Sequence, residues 1–134
     1  LEQCGSCTRC LDACPTGALV EAGVLDSTRC ISYLTIELRG DIPEPHRHAL
    51  ATHIYGCDIC QEVCPYNQPA PTSSDPAWQP RQGLDLPKLV DLARRSDDDL
   101  RALVRKTPMT RPKVAGLRRN IAAAMANAGM TDAG

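Results

Sequence analysis

Apolar residues in the last third of the chain recur at three- and four-residue intervals, the pattern of amphipathic helices. The longest stretch predicts a helix over Pro112–Ala128, ended by Gly129. Two shorter stretches predict helices over Pro87–Arg95 and from Ser96 through Val104, the second with Arg105 and Lys106 at its C-terminal end and a run of acidic residues that suits its N-terminus. Short helices separated by abrupt breaks favour a small α-helical region of the HEAT type.

The first half of the chain has a different pattern. Two short apolar stretches, Ala18–Val20 and Val24–Asp26, are separated by a turn that contains glycine and predict a β-hairpin. A helix capped by Ser27 or Thr28 should then run to about Leu38, and a second should cover His46–Tyr55. The sequence therefore predicts an α+β fold that is mostly α.

A proline-rich stretch separates the two halves. Six prolines lie between Pro65 and Pro87, which predicts a mostly non-helical linker with Trp78 as its buried anchor. We therefore divide the 134 residues into a cysteine-bearing domain at 1–68, a linker at 69–86 and a helical region at 87–134.

The overall charge does not point to a partner, since the formal net charge is −1. The distribution is more informative, because no acidic residue interrupts a run of seven basic ones: Arg101, Arg105, Lys106, Arg111, Lys113, Arg118 and Arg119. Such a run is typical of a surface that binds phosphates, although a solvated helix face would look the same. No apolar run approaches the roughly 20 residues that cross a membrane, so we expect no membrane partner.

All eight cysteines lie between Cys4 and Cys64. The first four have the spacing C-x2-C-x2-C-x3-C-P, the run of bacterial ferredoxins that hold two [4Fe–4S] clusters. The last three have the spacing C-x2-C-x3-C-P, the same run with one cysteine missing, and Cys30 stands alone between the two groups.

This spacing predicts a ligand set for each cluster. In the ferredoxin run the fourth cysteine binds the other cluster, which assigns the first cluster to Cys4, Cys7, Cys10 and Cys64. The second cluster then has Cys14, Cys57 and Cys60, and Cys30 is the cysteine left to complete it. The sequence thus predicts a ferredoxin-like module with two [4Fe–4S] clusters.

Two other uses of the cysteines are possible. A secreted disulfide scaffold also has an even number of cysteines, but the chain shows no secretion signal. Zinc sites use C-x2-C pairs separated by a dozen or more residues, and a third cysteine at this spacing suits them poorly. Because cluster thiolates persist best in a reducing compartment, we expect the protein to be cytoplasmic.

Several segments resemble the epoxyqueuosine reductase family. They are CGSCTRCLDACPTGAL at 4–19, LDSTRCISYLTIELRG at 25–40, IYGCDICQEVCPYN at 54–67, and the stretch 107–127, which contains GLRRNIA. The cysteine runs occur in many ferredoxin-type proteins. The segment CISYLTIELRG is more specific, since cluster ligation does not require it.

The resemblance implies a role in the last step of queuosine synthesis, the reduction of epoxyqueuosine to queuosine in tRNA with cobalamin and two [4Fe–4S] clusters. It implies that the catalytic acid and most of the cobalamin site belong to an N-terminal domain preceding Leu1. We therefore expect this portion alone to be inactive, assign it no catalytic residue, and expect it to be monomeric and to need an external electron donor.

The resemblance also suggests two further contact sets. Tyr33, Leu34 and Thr35 are candidates to lie against the cobalamin, with ordinary helix packing as the alternative. In the basic run we expect Arg118 and Arg119, then Arg111 and Lys113, to contact tRNA phosphates. Two other hypotheses remain open: a stand-alone ferredoxin-type electron carrier, and the electron-transfer module of another corrinoid-dependent reductase.

Overall fold

The computed structural model describes residues 4–81, 83–84 and 88–130, which fold mainly into short helices. The helices are α1 (Arg9–Ala13), α2 (Ile31–Ile36), α3 (Glu44–Arg47), α4 (Ile59–Glu62), α5 (Leu89–Arg94), α6 (Asp97–Val104) and α7 (Lys113–Asn127). One antiparallel hairpin joins β1 (Leu19–Glu21) to β2 (Val24–Leu25). Single 3-10 turns cover Ser27–Arg29, His48–Leu50, Pro76–Trp78 and Pro108–Thr110.

The predicted hairpin is confirmed, with Leu19 opposite Leu25 and Glu21 opposite Val24. The helix expected after it is wrong in its start and its end. Asp26, not Ser27 or Thr28, is the cap, and its carboxylate accepts the N–H of Thr28 at 3.1 Å. This cap closes only a 3-10 turn, after which the backbone is extended at Cys30 and α2 begins.

The helix predicted over His46–Tyr55 is also wrong. Helix α3 starts earlier, with Pro43 as its N-cap residue, and it ends at Arg47. A 3-10 turn follows and stops at Ala51, whose φ of 45° no right-handed helix can continue. The stretch 52–58 that leads to the second cysteine group is consequently irregular backbone.

In the proline-rich stretch, Trp78 does not act as an anchor. It ends a 3-10 turn capped by Asp75, and its side chain is 77% exposed. The stretch from 68 to 81 contains no other helix or strand and is nearly all exposed.

The predicted C-terminal helices are confirmed as elements. Ser96 and Asp99 form a reciprocal capping box at the start of α6. Helix α7 is followed by Gly129 at a φ of 66°, as a glycine stop requires. Pro87, the expected first residue of α5, lies outside the described residues.

Two groups of buried side chains form the core, and α7 packs against both. The first consists of Ile31, Leu34, Ile42 and Leu50, with Ala123 of α7 against it. The second consists of Leu92, Leu100, Ile121 and Met125, the last two from α7. Because one helix serves both groups, the helical region is packed onto the cysteine-bearing half. None of the helices in the described ranges is long and apolar enough to span a membrane.

Candidate iron–sulfur centre

The first cysteine group is a tight loop that leads into a helix. Cys7 donates its N–H to the carbonyl of Cys4 at 2.9 Å, and Gly5 between them has a φ of 51°. Cys4 and Cys7 are exposed, while Cys10 lies in α1 and is partly buried. Cys14 follows as the C-cap of α1 with extended backbone angles, so the chain turns away from the helix at the fourth cysteine.

The second group repeats this arrangement. Cys57 precedes α4, Cys60 lies within it, and Cys64 follows it, donating its N–H to Gln61 at 3.2 Å. Helices α1 and α4 pack against each other. Each group therefore places its last cysteine just beyond a short helix, at the junction with the other group.

The segments that carry Cys30 and Cys57 meet, because the hydroxyl of Ser32 donates to the carbonyl of Cys57 at 3.3 Å. Burial raises the pKa of the Cys57 thiol, a hydrogen bond from the backbone of Ile59 lowers it, and electrostatic interaction with Cys30, Cys60 and Cys14 raises it, with a net increase. These are the other three members of the predicted set. Cys57 thus interacts with the isolated Cys30, which is 27 residues away in sequence, and with Cys14 of the first run.

The surroundings of Cys14 suit a thiolate. Its sulfur accepts the N–H of Ala18 at 3.3 Å and lies 3.7 Å from the hydroxyl of Thr16. Burial on its own would raise the pKa of Cys14, but hydrogen bonds from the backbone of Leu19, the side chain and backbone of Thr16, and the backbone of Ala18 together lower it. Backbone N–H groups that point at sulfur also tune cluster potentials.

The cysteines fit the cofactor that their spacing predicts. All eight are free of disulfides. Within the described ranges, no three His, Cys, Asp or Glu side chains are grouped as a single metal ion would require. A cubane cluster holds its four thiolates farther apart than one ion does, because each thiolate binds a different iron. A set made only of thiols is the donor chemistry of such clusters.

The three residues suggested for cobalamin contact are on α2, and two of them face inward. Leu34 is 1% exposed and Thr35 is fully buried, whereas Tyr33 is partly buried beside the first core group. The burial of Leu34 and Thr35 favours helix packing for these two side chains. Tyr33 is the member of the set whose side chain reaches the surface.

Two of the four arginines and lysines expected to contact tRNA bind the chain's own carbonyl groups. Arg118 donates to the carbonyl of Ala93 at 2.9 Å and to that of Arg95, and it also bonds Asp97. Arg119 donates to carbonyls at the end of α2 and beyond it, Leu34 at 2.7 Å, Leu38 at 3.0 Å and Gly40 at 2.6 Å. Burial lowers the pKa of Arg119, as expected for a guanidinium enclosed by protein.

The other members of the basic run fall into two groups, those that form an ion pair within the chain and those that do not. Arg111 pairs with Glu37 at 2.5 Å, and Arg101 pairs with Asp98 at 2.6 Å. Arg105, Lys106 and Lys113 are exposed, and none of their side chains has a hydrogen bond or ion pair within the described residues. Arg105 and Lys113 line one surface groove of about 560 Å³. The sequence did not distinguish the paired basic residues from the unpaired ones, because some of the acidic partners, such as Glu37, lie far outside the run.

Comparisons with known proteins agree with this geometry. Residues 3–67 match the family described as the 4Fe-4S double cluster binding domain. The epoxyqueuosine reductase of Burkholderia pseudomallei is 45% identical over 93% of this chain, and that of Escherichia coli is 42% identical over 95%. The chain spans about a third of the length of these curated relatives, 31% and 34% respectively.

Solved structures give the same result. Epoxyqueuosine reductase from Bacillus subtilis matches 92% of this chain with a TM-score of 0.83 at 38% identity, over 33% of its own chain. A crystal structure of an epoxyqueuosine reductase with an epoxyqueuosine-modified tRNA-Tyr stem loop matches equally well. Over nearly all of its 134 residues, the chain is therefore similar to about a third of the length of the epoxyqueuosine reductases, and its residues 3–67 match a 4Fe-4S double cluster binding domain.

Proposed function

We propose that this chain is the iron–sulfur electron-relay and tRNA-binding portion of an epoxyqueuosine reductase, which reduces epoxyqueuosine to queuosine in tRNA. The observation that carries the proposal is that α1, which leads to Cys14, packs against α4, which contains Cys60, while Ser32, two residues after Cys30, donates its hydroxyl to the carbonyl of Cys57 at 3.3 Å. These contacts support the ferredoxin-like module with two [4Fe–4S] clusters that the cysteine spacing predicts.

The chain's own residues would shape the relay in three ways. The thiolates of Cys4, Cys7, Cys10 and Cys64 would hold one cluster, and Cys14, Cys30, Cys57 and Cys60 the other. When bound, the clusters supply one-electron transfer at potentials that their surroundings set. Packing of α1 on α4 keeps the two ligand sets adjacent, and the hydrogen bonds to the Cys14 sulfur stabilise its thiolate form.

Exposure suggests the direction of electron flow. Cys4 and Cys7 are exposed, whereas the other six cysteines are partly buried. Because both exposed cysteines belong to the first set, that set is the more accessible side for an external electron donor. The second set includes Cys30, the N-cap residue of α2, and the partly buried Tyr33 of the same helix is our candidate for a cobalamin contact.

The helical region supports the tRNA-binding half of the proposal. A HEAT-like array would present basic side chains to the phosphates of an RNA stem without reading its sequence. Arg105, Lys106 and Lys113 are the best candidates, because their charges have no partner within the described residues. The stand-alone carrier is less well supported, since α7 is built into the core of the cysteine-bearing half rather than appended to it.

The activity can be tested in the source organism. Deletion of the gene should leave epoxyqueuosine in the tRNA pool where the parent strain has queuosine, as measured by mass spectrometry of digested tRNA. Complementation with the intact gene should restore queuosine, and complementation with a Cys57→Ala variant should not. Normal queuosine levels in the deletion strain would exclude this function.

A further inference from the structure

One polar side chain on the buried face of α7 has all its hydrogen-bonding atoms in use. Asn120 is fully buried. Its amide nitrogen donates to the carbonyl of Thr35 at 2.7 Å and to that of Ile54 at 2.9 Å. Its side-chain oxygen accepts two N–H groups of Arg119, at 2.9 and 3.1 Å. A polar group in a core is tolerated only when it is satisfied in this way, and it then fixes the relative position of the segments it joins.

The two segments that Asn120 joins both lead to cysteines of the same predicted cluster. Thr35 lies in α2, whose N-cap residue is Cys30. Ile54 lies three residues before Cys57 in irregular backbone. Without a helix or strand to hold it, the 54–57 stretch depends on side-chain hydrogen bonds for its position.

Thr35 adds a second connection between these segments. Its hydroxyl donates to the carbonyl of Ile31 at 2.8 Å and accepts the N–H of Gly56 at 3.0 Å. One residue further on, the carbonyl of Cys57 accepts the hydroxyl of Ser32 at 3.3 Å. The backbone on both sides of Gly56 is therefore tied to α2, the helix that begins at Cys30.

We propose that Asn120 and Thr35 are positioning residues for the cluster of Cys14, Cys30, Cys57 and Cys60. The inference rests on the two-cluster assignment made under the proposed function. Groups behind the ligands orient them and tune the metal centre, and displacement of a thiolate by a fraction of an ångström weakens a site. The helical region thereby sets the geometry of the cluster nearer to α2, as well as covering the core.

Helix α7 offers a matched control for a purely structural role. Asn127 also donates from its amide nitrogen to two carbonyls of the cysteine-bearing half, Arg47 at 2.8 Å and Ala51 at 2.9 Å. The segment it holds carries no cysteine. The two asparagines thus donate in the same way from the same helix and differ in the segment they hold and in burial, since Asn120 is fully buried and Asn127 only partly.

The test uses the intact protein with its clusters bound, purified in the absence of oxygen. It compares the wild type with the variants Asn120→Leu, Thr35→Val, Thr35→Ser and Asn127→Leu. The readouts are iron per chain, the EPR spectrum after reduction and the midpoint potentials of the two clusters. Thr35→Val and Asn120→Leu should shift the potential and EPR signal of one cluster, leave the other unchanged, and lower the iron content to as little as half. Thr35→Ser keeps the hydroxyl and should match wild type, as should Asn127→Leu.

Other results would overturn the inference. If Asn120→Leu is too unstable to purify, Thr35→Val decides, because valine has nearly the same shape as threonine. Unchanged potentials and spectra in Thr35→Val, or a shift of similar size in Asn127→Leu, would show that the contacts only stabilise the fold. Failure of the underlying two-cluster assignment would be visible separately, as wild-type protein holding well below about eight irons.

Discussion

At the scale of single residues, the sequence predicts the chemistry of the cysteines, and the fold shows which of their segments meet. Spacing within a run is local and therefore predictable. The role of the isolated Cys30 was inferred only by elimination, since Cys14 and Cys57, assigned to the same set, lie 16 and 27 residues away. The hydroxyl of Ser32 joins α2, the helix that begins after Cys30, to the carbonyl of Cys57, and no sequence spacing encodes that contact.

The ligand assignment predicts how paired cysteine substitutions combine. Cys30→Ala and Cys57→Ala should each remove one cluster and about half the iron, and the double variant should lose no more, because both cysteines serve the same cluster. Cys4→Ala combined with Cys30→Ala should lose nearly all the iron. Iron analysis and EPR would measure this; additive loss in Cys30→Ala/Cys57→Ala would contradict the grouping.

Arg118 was expected from the sequence to contact tRNA phosphates at the surface, but in the structure it binds the chain itself. Its guanidinium spans the turn between α5 and α6 through the carbonyls of Ala93 and Arg95. Arg118→Ala should therefore destabilise the fold by about 1–3 kcal/mol, because two partly buried carbonyl groups lose a charged donor. Urea unfolding at matched cluster loading would measure it, with Arg105→Ala as the unpaired control. If Arg118→Ala and Arg105→Ala are equally stable, the bonds of Arg118 do not stabilise the fold, and Arg118 is again a candidate for RNA binding.

At the scale of elements, the helices that begin or end at a capping residue or a glycine were predicted correctly. The helices whose ends depend on tertiary packing were not. The capping box of Ser96 and the glycine stop at Gly129 are local, so α6 has the expected start and α7 the expected end, whereas α6 stops at Val104, before Arg105 and Lys106. The helix expected over His46–Tyr55 does not continue past Ala51, because Ala51 has a positive φ. Alanine is not a residue type that predicts such a backbone angle, so the break could not be predicted from the sequence. Tertiary packing of the cysteine loops, rather than propensity, decides that stretch.

Gly116 in α7 gives an element-scale prediction in which packing should outweigh helix propensity. A Cβ at this position would lie 2.9 Å from the Cβ of Pro112, whose ring cannot rotate away. Gly116→Ala would gain up to about 1 kcal/mol in propensity and lose about 1–3 kcal/mol to overpacking, so thermal unfolding should occur at lower temperature. Ala122→Gly, exposed on the same helix, measures the propensity effect alone. If Gly116→Ala is more stable than the wild type, Pro112 can move away from the added methyl group with little loss of free energy.

At the scale of the whole molecule, the basic run that looks uniform in the sequence consists of paired and unpaired charges. Acids outside the run neutralise Arg101, Arg111 and Arg118: Asp98 on the same helix, Glu37 and Asp97. The unpaired side chains of Arg105 and Lys113 line the groove that Arg101 also borders. A phosphate backbone should therefore follow this groove, on the side of the helical region formed by α6 and the start of α7.

This arrangement predicts how charge-neutralising substitutions affect RNA binding by the intact protein. Arg105→Gln and Lys113→Gln should each weaken binding of a tRNA anticodon stem loop several-fold and lower the slope of log affinity against log salt by about 0.7–0.9, the loss of one phosphate contact. Arg101→Gln borders the same groove but removes a charge already paired with Asp98, so its effect should be much smaller. Fluorescence anisotropy across a salt series would measure all three. Equal losses for Arg101→Gln and Arg105→Gln would mean that net charge, rather than this groove, attracts the RNA.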